Sequence, residues 1–246
     1  MRTPAEPIRQ RMTEDPAIYG SGGASFTQDD TSYGGPYHNA PMPLSKINAI
    51  VLAHAKAWET NARHRQNWDK SFQEIQMVFP TDDTCIGALS LGSSCHHGPA
   101  TIDRMKFAIA LALQWPQACV MEYDTLVWDL PEVIESGAIL CSRVFQNHDG
   151  QFDAQDYGHS PWLATRETWW RILQAGDDLQ GGWPDRWLAC AARKAGVKLK
   201  GLRDGFSADW TWDKVVIENA VAARKRGAQA IHGFKSKEIY DILCQQ

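Results

Sequence analysis

Three apolar runs separated by two helical segments constrain the fold of this chain more than any other feature of its sequence. The apolar runs lie at residues 47–53, 74–79 and 117–121, and the helical segments lie at 58–72 and 99–115. Short, β-branched apolar runs of this kind are typical of strands buried on both faces. The alternation predicts an α/β domain, and right-handed crossovers predict that its first strands are parallel.

The second half of the chain is less regular, and its predicted elements are shorter. We predict strands at 139–145, 198–202 and 228–231, helices at 165–174, 184–196 and 215–226, and a polar loop at 154–162. Apolar periodicity supports the helices, and Gly227 ends the last of them.

Acidic residues follow the second and third apolar runs. Asp82 and Asp83 come after the second run, and Glu122 and Asp124 come directly after the third. Ligands of such sheets bind beyond the carboxyl ends of the strands, so these carboxylates are expected at one rim, where a divalent cation would account for them. Strand alternation predicts that Glu122 and Asp124 share a face, with Tyr123 opposite. The alternative is a solvated pair of acids beside a loop.

In this position the segment Glu122-Tyr123-Asp124 resembles the D-x-D-type motif of GT-A glycosyltransferases, which ends a mid-chain strand after two βα units. The resemblance extends from Lys46 to Lys237. It implies a GT-A-like, Rossmann-related mixed sheet flanked by helices, forming a single domain at 46–246. It also implies transfer of a sugar from a UDP- or GDP-linked donor, with Mn²⁺ or Mg²⁺ assisting the departure of the diphosphate. Asp124 would be the firmer metal ligand, and Glu122 would share the cation or bind a ribose hydroxyl.

A second segment, AIHGFK at 230–235, resembles the late histidine segment of several GT-A families. The resemblance implies that His232 completes the metal site and that Lys235 contacts the diphosphate. Imidazole together with carboxylates suits Mn²⁺, and Mg²⁺ is compatible. Ser236 and Lys237 follow where the family pattern has a Pro-Trp pair. The alternative for His232 is a hydrogen-bonded histidine at a strand end.

A third segment, GGWPDRW at 181–187, places Asp185 at the start of a predicted helix. It resembles the acidic residue that many inverting GT-A enzymes use as the base that accepts the proton of the acceptor hydroxyl. In a retaining enzyme Asp185 would hold hydroxyls of the donor sugar instead. An acid also suits a helix N-terminus electrostatically, which is the structural alternative.

Further contacts with the donor are predicted from the same resemblance. Trp162 or Tyr157 would stack on a sugar ring, unless the loop is a turn with buried aromatics. Arg104 would reach a phosphate, unless it is a surface charge. Asp82 and Asp83 would face the same nucleotide.

The N-terminal segment and the cysteines bear on where the chain works. Residues 1–45 are rich in Gly, Pro, Ser and Asp, which predicts a flexible extension. No run of 18 apolar residues exists, and the first 12 residues lack the apolar region of a secretory signal, so no membrane span is expected. Six scattered cysteines without a CxxC pair predict a reducing, cytoplasmic setting.

Charge and composition leave the acceptor and two other function classes open. The net charge of −4 argues against a protein that coats nucleic acid without sequence preference. Residues 193–237, however, carry eleven Lys/Arg and four Asp/Glu. The acceptor is open among protein, lipid-linked, polysaccharide and modified DNA-base hydroxyls. A nucleotidyltransferase on a related fold would normally have a Gly-rich basic loop where this chain has HAKAW at 54–58. Eleven tryptophans and the basic C-terminal third would also suit a non-catalytic carbohydrate or nucleic-acid binding module.

Overall fold

The computed structural model describes the chain in nine stretches. They are residues 47–53, 58–79, 89–90, 99–131, 134–145, 157–179, 183–208, 214–234 and 237–244. The predictions for the extension at 1–45, for Asp82 and Asp83, and for Lys235 lie outside the described residues.

The described elements follow the predicted alternation. The strands are β1 (Asn48–Leu52), β2 (Ile75–Phe79), β3 (Leu89–Ser90), β4 (Gln117–Glu122), β5 (Thr125–Val127), β6 (Ala138–Cys141), β7 (Val144–Phe145), β8 (Tyr157–Gly158), β9 (Trp162–Thr165), β10 (Lys198–Gly201), β11 (Phe206–Ser207) and β12 (Ala230–His232). The helices are α1 (Trp58–Ser71), α2 (Pro99–Ala112), α3 (Arg166–Ala175), α4 (Pro184–Lys194), α5 (Lys214–Lys225) and α6 (Lys237–Cys244).

A seven-stranded mixed sheet forms the centre of the fold, in the order β10-β6-β9-β4-β1-β2-β3. β1 pairs in parallel with β2 and with β4, as the crossover rule predicts. β9 is antiparallel to both of its neighbours, β4 and β6. With helices flanking this sheet, the predicted α/β class and mixed sheet are confirmed.

Strand alternation sends the side chains of β1 and β4 into two separate cores. Ile50 and Val120 belong to the core packed by α2, α3 and α4, whereas Val51 and Met121 belong to the core packed by α1. All five residues of β1 are buried, as expected for a parallel strand covered on both faces. A third core lies where β5 and β12 pack against α5 and α6.

Two sequence predictions in the second half are wrong. The predicted strand 139–145 is interrupted at Ser142 and Arg143, between β6 and β7. The predicted loop 154–162 contains β8 and the first residue of β9. β9 has only four residues and directly follows Pro161, so no periodicity marks it; its last residue, Thr165, is the N-cap of α3. Among the described residues, no helix has the length and apolarity needed to cross a membrane.

Candidate functional site

Three ionisable side chains, from the end of β4, the turn that follows it and the end of β12, meet at the carboxyl edge of the main sheet. Nε2 of His232 lies 2.6 Å from Oε2 of Glu122 and 3.4 Å from Oδ1 of Asp124. One ligand atom from each residue lies within 4.8 Å of the others. We call Glu122, Asp124 and His232 the acidic cluster.

The chain reaches this arrangement because β4 ends and the backbone turns. Glu122 is the last residue of β4, and Asp124 lies in the turn that leads to β5. The prediction that both acids share one face of a strand is therefore wrong, because the strand does not continue to Asp124. β5 then pairs antiparallel with β12, where Thr125 is the register partner of His232, so the histidine is placed beside the turn.

Buried polar contacts fix the backbone of this turn. The Ser160 hydroxyl accepts a hydrogen bond from the Glu122 amide at 2.8 Å and lies 2.7 Å from the Thr125 hydroxyl. The amide of Gly233 donates to the Asp124 carbonyl at 3.1 Å. Gly233 has φ of +95°, which a residue with a side chain rarely adopts. The turn that carries the two acids is thus held from both sides.

Hydrogen bonds from side chains of helix α1 hold the backbone of β5 next to the turn. The indole of Trp68 donates to the Thr125 carbonyl at 2.7 Å. The side-chain amide of Asn67 pairs with both backbone groups of Val127, donating to its carbonyl and accepting from its amide, each at 2.9 Å. Trp68 is fully buried and Asn67 is nearly so, which makes these bonds costly to lose.

The two carboxylates dominate the electrostatics of His232. Burial by itself lowers the pKa of this imidazole, but the charge of Asp124 and hydrogen bonds to Asp124 and Glu122 raise it to about 10. The ring therefore carries positive charge between the acids near neutral pH. The imidazolium neutralises part of the charge of both acids, and it would have to lose its Nε2 proton to bind a divalent cation.

The donor set fits a divalent cation. Two carboxylates and one imidazole offer the mixed oxygen and nitrogen ligands that suit Mn²⁺. The side chain of Glu122 is 35% exposed, whereas those of Asp124 and His232 are 7% and 12% exposed. The cluster is thus deep and still reachable from solvent on the Glu122 side.

The acid predicted as base, Asp185, is linked to this cluster through residues that sequence reasoning did not select. Asp185 is the second residue of α4, and its Oδ2 lies 3.4 Å from Nε2 of His159. Nδ1 of His159 lies 2.6 Å from the Ser207 hydroxyl, which lies 3.0 Å from Nδ1 of His232. Asp185 also keeps the character of a first-turn acid, because its Oδ1 accepts from the Arg186 amide at 2.9 Å.

Topology explains why His159, Ser160 and Ser207 were missed. His159 and Ser160 lie just before Pro161 and β9, and only because β9 runs antiparallel does its start lie at the carboxyl edge of the other strands. Ser207 ends β11 and is the parallel register partner of His232 at the end of β12. Neither the antiparallel insertion nor the pairing of two short strands leaves a periodic signal in the sequence.

Of the two predicted sugar-stacking residues, Trp162 is excluded by its burial, whereas stacking by Tyr157 stays a prediction. Trp162 is 1% exposed within the core, and its indole donates to the Gly158 carbonyl at 2.6 Å, so no ring face is open to a sugar and the prediction is corrected. The Arg186 guanidinium carbon lies 3.4 Å from the centre of the Tyr157 ring, which also stacks on the ring of Phe145.

Arg104 is buried and lies near the carboxyl end of β1. Its Nη1 is 3.5 Å from the Ala53 carbonyl. The alternative of a surface charge is therefore wrong, and the guanidinium lies at the same sheet edge as the acidic cluster. Contact with a phosphate stays a prediction.

A scan of protein-family models finds no match to this chain, and a search of curated proteins finds none either. Similar solved structures include the apo form of the bifunctional glycosyltransferase WbbM, at TM-score 0.46 and 12% identity, over 81% of this chain and 49% of that chain. The apo glycosyltransferase GlyE of Streptococcus pneumoniae TIGR4 matches at TM-score 0.42 and 11% identity, over 81% of this chain and 59% of that chain. An active-site mutant of LgtC matches at TM-score 0.44 and 12% identity, over 81% of this chain and 95% of that chain.

This chain spans about half the length of the WbbM chain, at 49%, and 59% of the GlyE chain. At identities of 11–12%, function has to be derived from the side chains of the site itself.

Proposed function

We propose that this chain is a metal-dependent glycosyltransferase that uses a nucleotide-sugar donor. The acidic cluster is the observation that carries the proposal, because it gathers two carboxylates and an imidazole at the carboxyl edge of an α/β sheet. Ligands of such sheets bind at this edge, so a nucleotide there would lie beside the proposed cation site.

The residues that would hold Mn²⁺ or Mg²⁺ are Asp124, Glu122 and His232. A divalent cation, when bound, neutralises charge that develops on a departing diphosphate. Asp124 is nearly buried and its turn is fixed by Ser160 and Gly233, which suits a residue that must keep one position through a reaction. Glu122 is the more exposed acid and would face the donor, where it shares the cation or binds a ribose hydroxyl.

Asp185 is proposed as the group that accepts the proton of the acceptor hydroxyl. Its side chain is 20% exposed, so its carboxylate is accessible to an incoming substrate. It lies at the N-terminus of α4. The nature of the acceptor stays open, and a modified DNA base, a polysaccharide, a lipid-linked sugar and a protein all offer the required hydroxyl.

The direct test is a screen of UDP- and GDP-linked sugars with the full chain, with Mn²⁺ or Mg²⁺ added, measuring release of the nucleoside diphosphate. We expect cation-dependent release from at least one donor and a loss of at least about 100-fold in Asp124→Asn, because a metal ligand matters at least as much as its hydrogen-bond partners. Asp178→Asn is the matched control, since Asp178 is an exposed acid paired with Lys194. Release that is equal in Asp124→Asn would reject the proposal.

The same preparations distinguish the runner-up functions. Incubation with nucleoside triphosphates and sugar phosphates, followed by assay of pyrophosphate, would detect a nucleotidyltransferase. A binding module would give no product in either screen and no stabilisation by UDP or GDP that depends on Mn²⁺.

A further inference from the structure

One buried hydroxyl lies between two histidine rings near the acidic cluster. The Ser207 oxygen is 2.6 Å from Nδ1 of His159 and 3.0 Å from Nδ1 of His232. The two ring centroids are 5.3 Å apart, in an edge-on arrangement. The other nitrogen of each ring, Nε2, faces an acid. Nε2 of His232 faces Glu122 and Asp124, and Nε2 of His159 faces Asp185.

The single proton of a serine hydroxyl gives this contact a direction. Nδ1 of His232 carries a hydrogen in both states of the ring: an imidazolium is protonated on both nitrogens, and a ring that binds a cation through Nε2 would keep its hydrogen on Nδ1. That hydrogen is donated to Ser207, whose own hydrogen is then left for Nδ1 of His159. A neutral His159 that accepts at Nδ1 carries its hydrogen on Nε2, which is the nitrogen 3.4 Å from Asp185.

We propose that Ser207 and His159 are positioning residues, which link the ring of His232 to the carboxylate of Asp185. The inference rests on the proposed function, because it assigns a role to a cation and to Asp185 in the same site. It adds two residues that touch neither the cation nor the substrate and act through His232 and Asp185.

The arrangement Ser207–His159–Asp185 also has the residue types of a hydrolytic triad, and burial argues against that role. Ser207 is 3% exposed, so its oxygen is not open to an acyl substrate. The hydroxyl is also engaged by His232 on its other side, at 3.0 Å. A nucleophile needs a free approach to its oxygen, whereas a positioning residue needs the fixed contacts that Ser207 has.

The fixed backbone around the three residues supports a positioning role. The His159 amide donates to the Arg143 carbonyl at 3.2 Å, and the Ser142 amide donates to the His159 carbonyl at 3.1 Å. The Ala208 amide donates to the His232 carbonyl at 3.0 Å, next to Ser207. The backbone of both histidines is thus held on short strands or beside them.

The first test reads the tautomers directly, by ¹⁵N NMR of the histidines in the full chain at about pH 8, where an ordinary histidine is neutral. One equivalent of Zn²⁺ serves as a diamagnetic probe that imidazole binds more tightly than Mn²⁺. We expect His159 to be protonated on Nε2 and unprotonated on Nδ1, and His232 to be protonated on Nδ1. A His159 that carries its hydrogen on Nδ1 would overturn the inference, whereas His232 signals that ignore the cation would also remove the proposed function.

The second test measures Mn²⁺ affinity, from the free-ion signal in electron paramagnetic resonance, and requires no turnover. Ser207→Ala is expected to bind Mn²⁺ about 10- to 100-fold more weakly, as is usual when a hydrogen-bond partner of a metal-bound histidine is removed. Ser207→Thr, which keeps the hydroxyl, should recover most of the affinity. Ser136→Ala is the control, because this exposed hydroxyl donates to Glu167, at 3.0 Å, away from the acidic cluster. Equal affinity in the wild type and in Ser207→Ala would overturn the inference.

Discussion

The acidic cluster and the surface ion pairs use the same kinds of side chain in opposite ways. Asp124 and His232 are 7% and 12% exposed, and two acids crowd one imidazole. Lys194 and Asp178 are 48% and 71% exposed, and one cation meets one anion. Water solvates the surface pair on most sides. The acidic cluster is largely shielded from water, and it brings two negatively charged carboxylates close together.

This difference indicates that stability alone does not explain the acidic cluster. Exposed ion pairs contribute little to the free energy of unfolding because water already solvates both charges. Buried acids of like charge are unfavourable unless a counter-charge compensates them, and such arrangements gather at functional sites. The backbone anchors around the cluster, from Asn67, Trp68 and Ser160, keep the acids together against that cost.

Removal of one anchor should have the largest effect. Asn67→Ala deprives the amide and the carbonyl of Val127 of their side-chain partner, at about 1–3 kcal/mol for each buried group. We expect the free energy of unfolding to fall by about 3 kcal/mol in urea denaturation, because the Ser71 hydroxyl still reaches the carbonyl. Asn219→Ala, on the exposed face of α5, is the control and should change little. A loss no larger than the control's would mean that the turn does not depend on this anchor.

Cation binding should relieve the repulsion in the cluster, with the next largest effect. Free Mn²⁺ at about 100 times its dissociation constant is expected to add about 2.7 kcal/mol to the free energy of unfolding. For a chain of this length that corresponds to a Tm increase of about 5–10 °C in a thermal melt. Glu122→Gln should reduce the increase, whereas Glu135→Gln, which alters an exposed acid, should leave it intact. An equal increase in both variants would place the cation elsewhere.

A surface pair should give the smallest effect, and one that depends on pH. A hydrogen bond and the charge of Lys200 lower the pKa of Glu135. A carboxyl group whose pKa is lowered by folding stabilises the folded state at pH values above the ordinary glutamate pKa. That stabilisation is lost as the pH falls through the lowered pKa. Lys200→Ala should therefore lower Tm slightly at about pH 7, and this change should shrink as the pH falls below the ordinary glutamate pKa. A large change that persists in acid would mean that Lys200 matters through packing.

Local chemistry in the sequence was enough to predict the parallel centre of the fold and most of the acidic cluster. The apolar runs that form β1, β2 and β4 are continuous, since each strand is covered by helices. Glu122 and Asp124 follow the last of these runs directly, and the carboxyl ends of parallel strands meet at one edge. His232 was selected only through a resemblance, and its strand end places it against the same acids.

Tertiary structure alone decided which residues surround that cluster. The antiparallel insertion of β9 brings His159 and Ser160 to the site and buries Trp162, although the sequence at 154–162 has the polarity of a loop. The pairing of β11 with β12 brings Ser207 beside His232 across 25 residues of chain. A residue's own sequence neighbourhood determines whether it forms a buried strand, but contacts between distant short strands depend on how the whole sheet closes, and no local pattern encodes them.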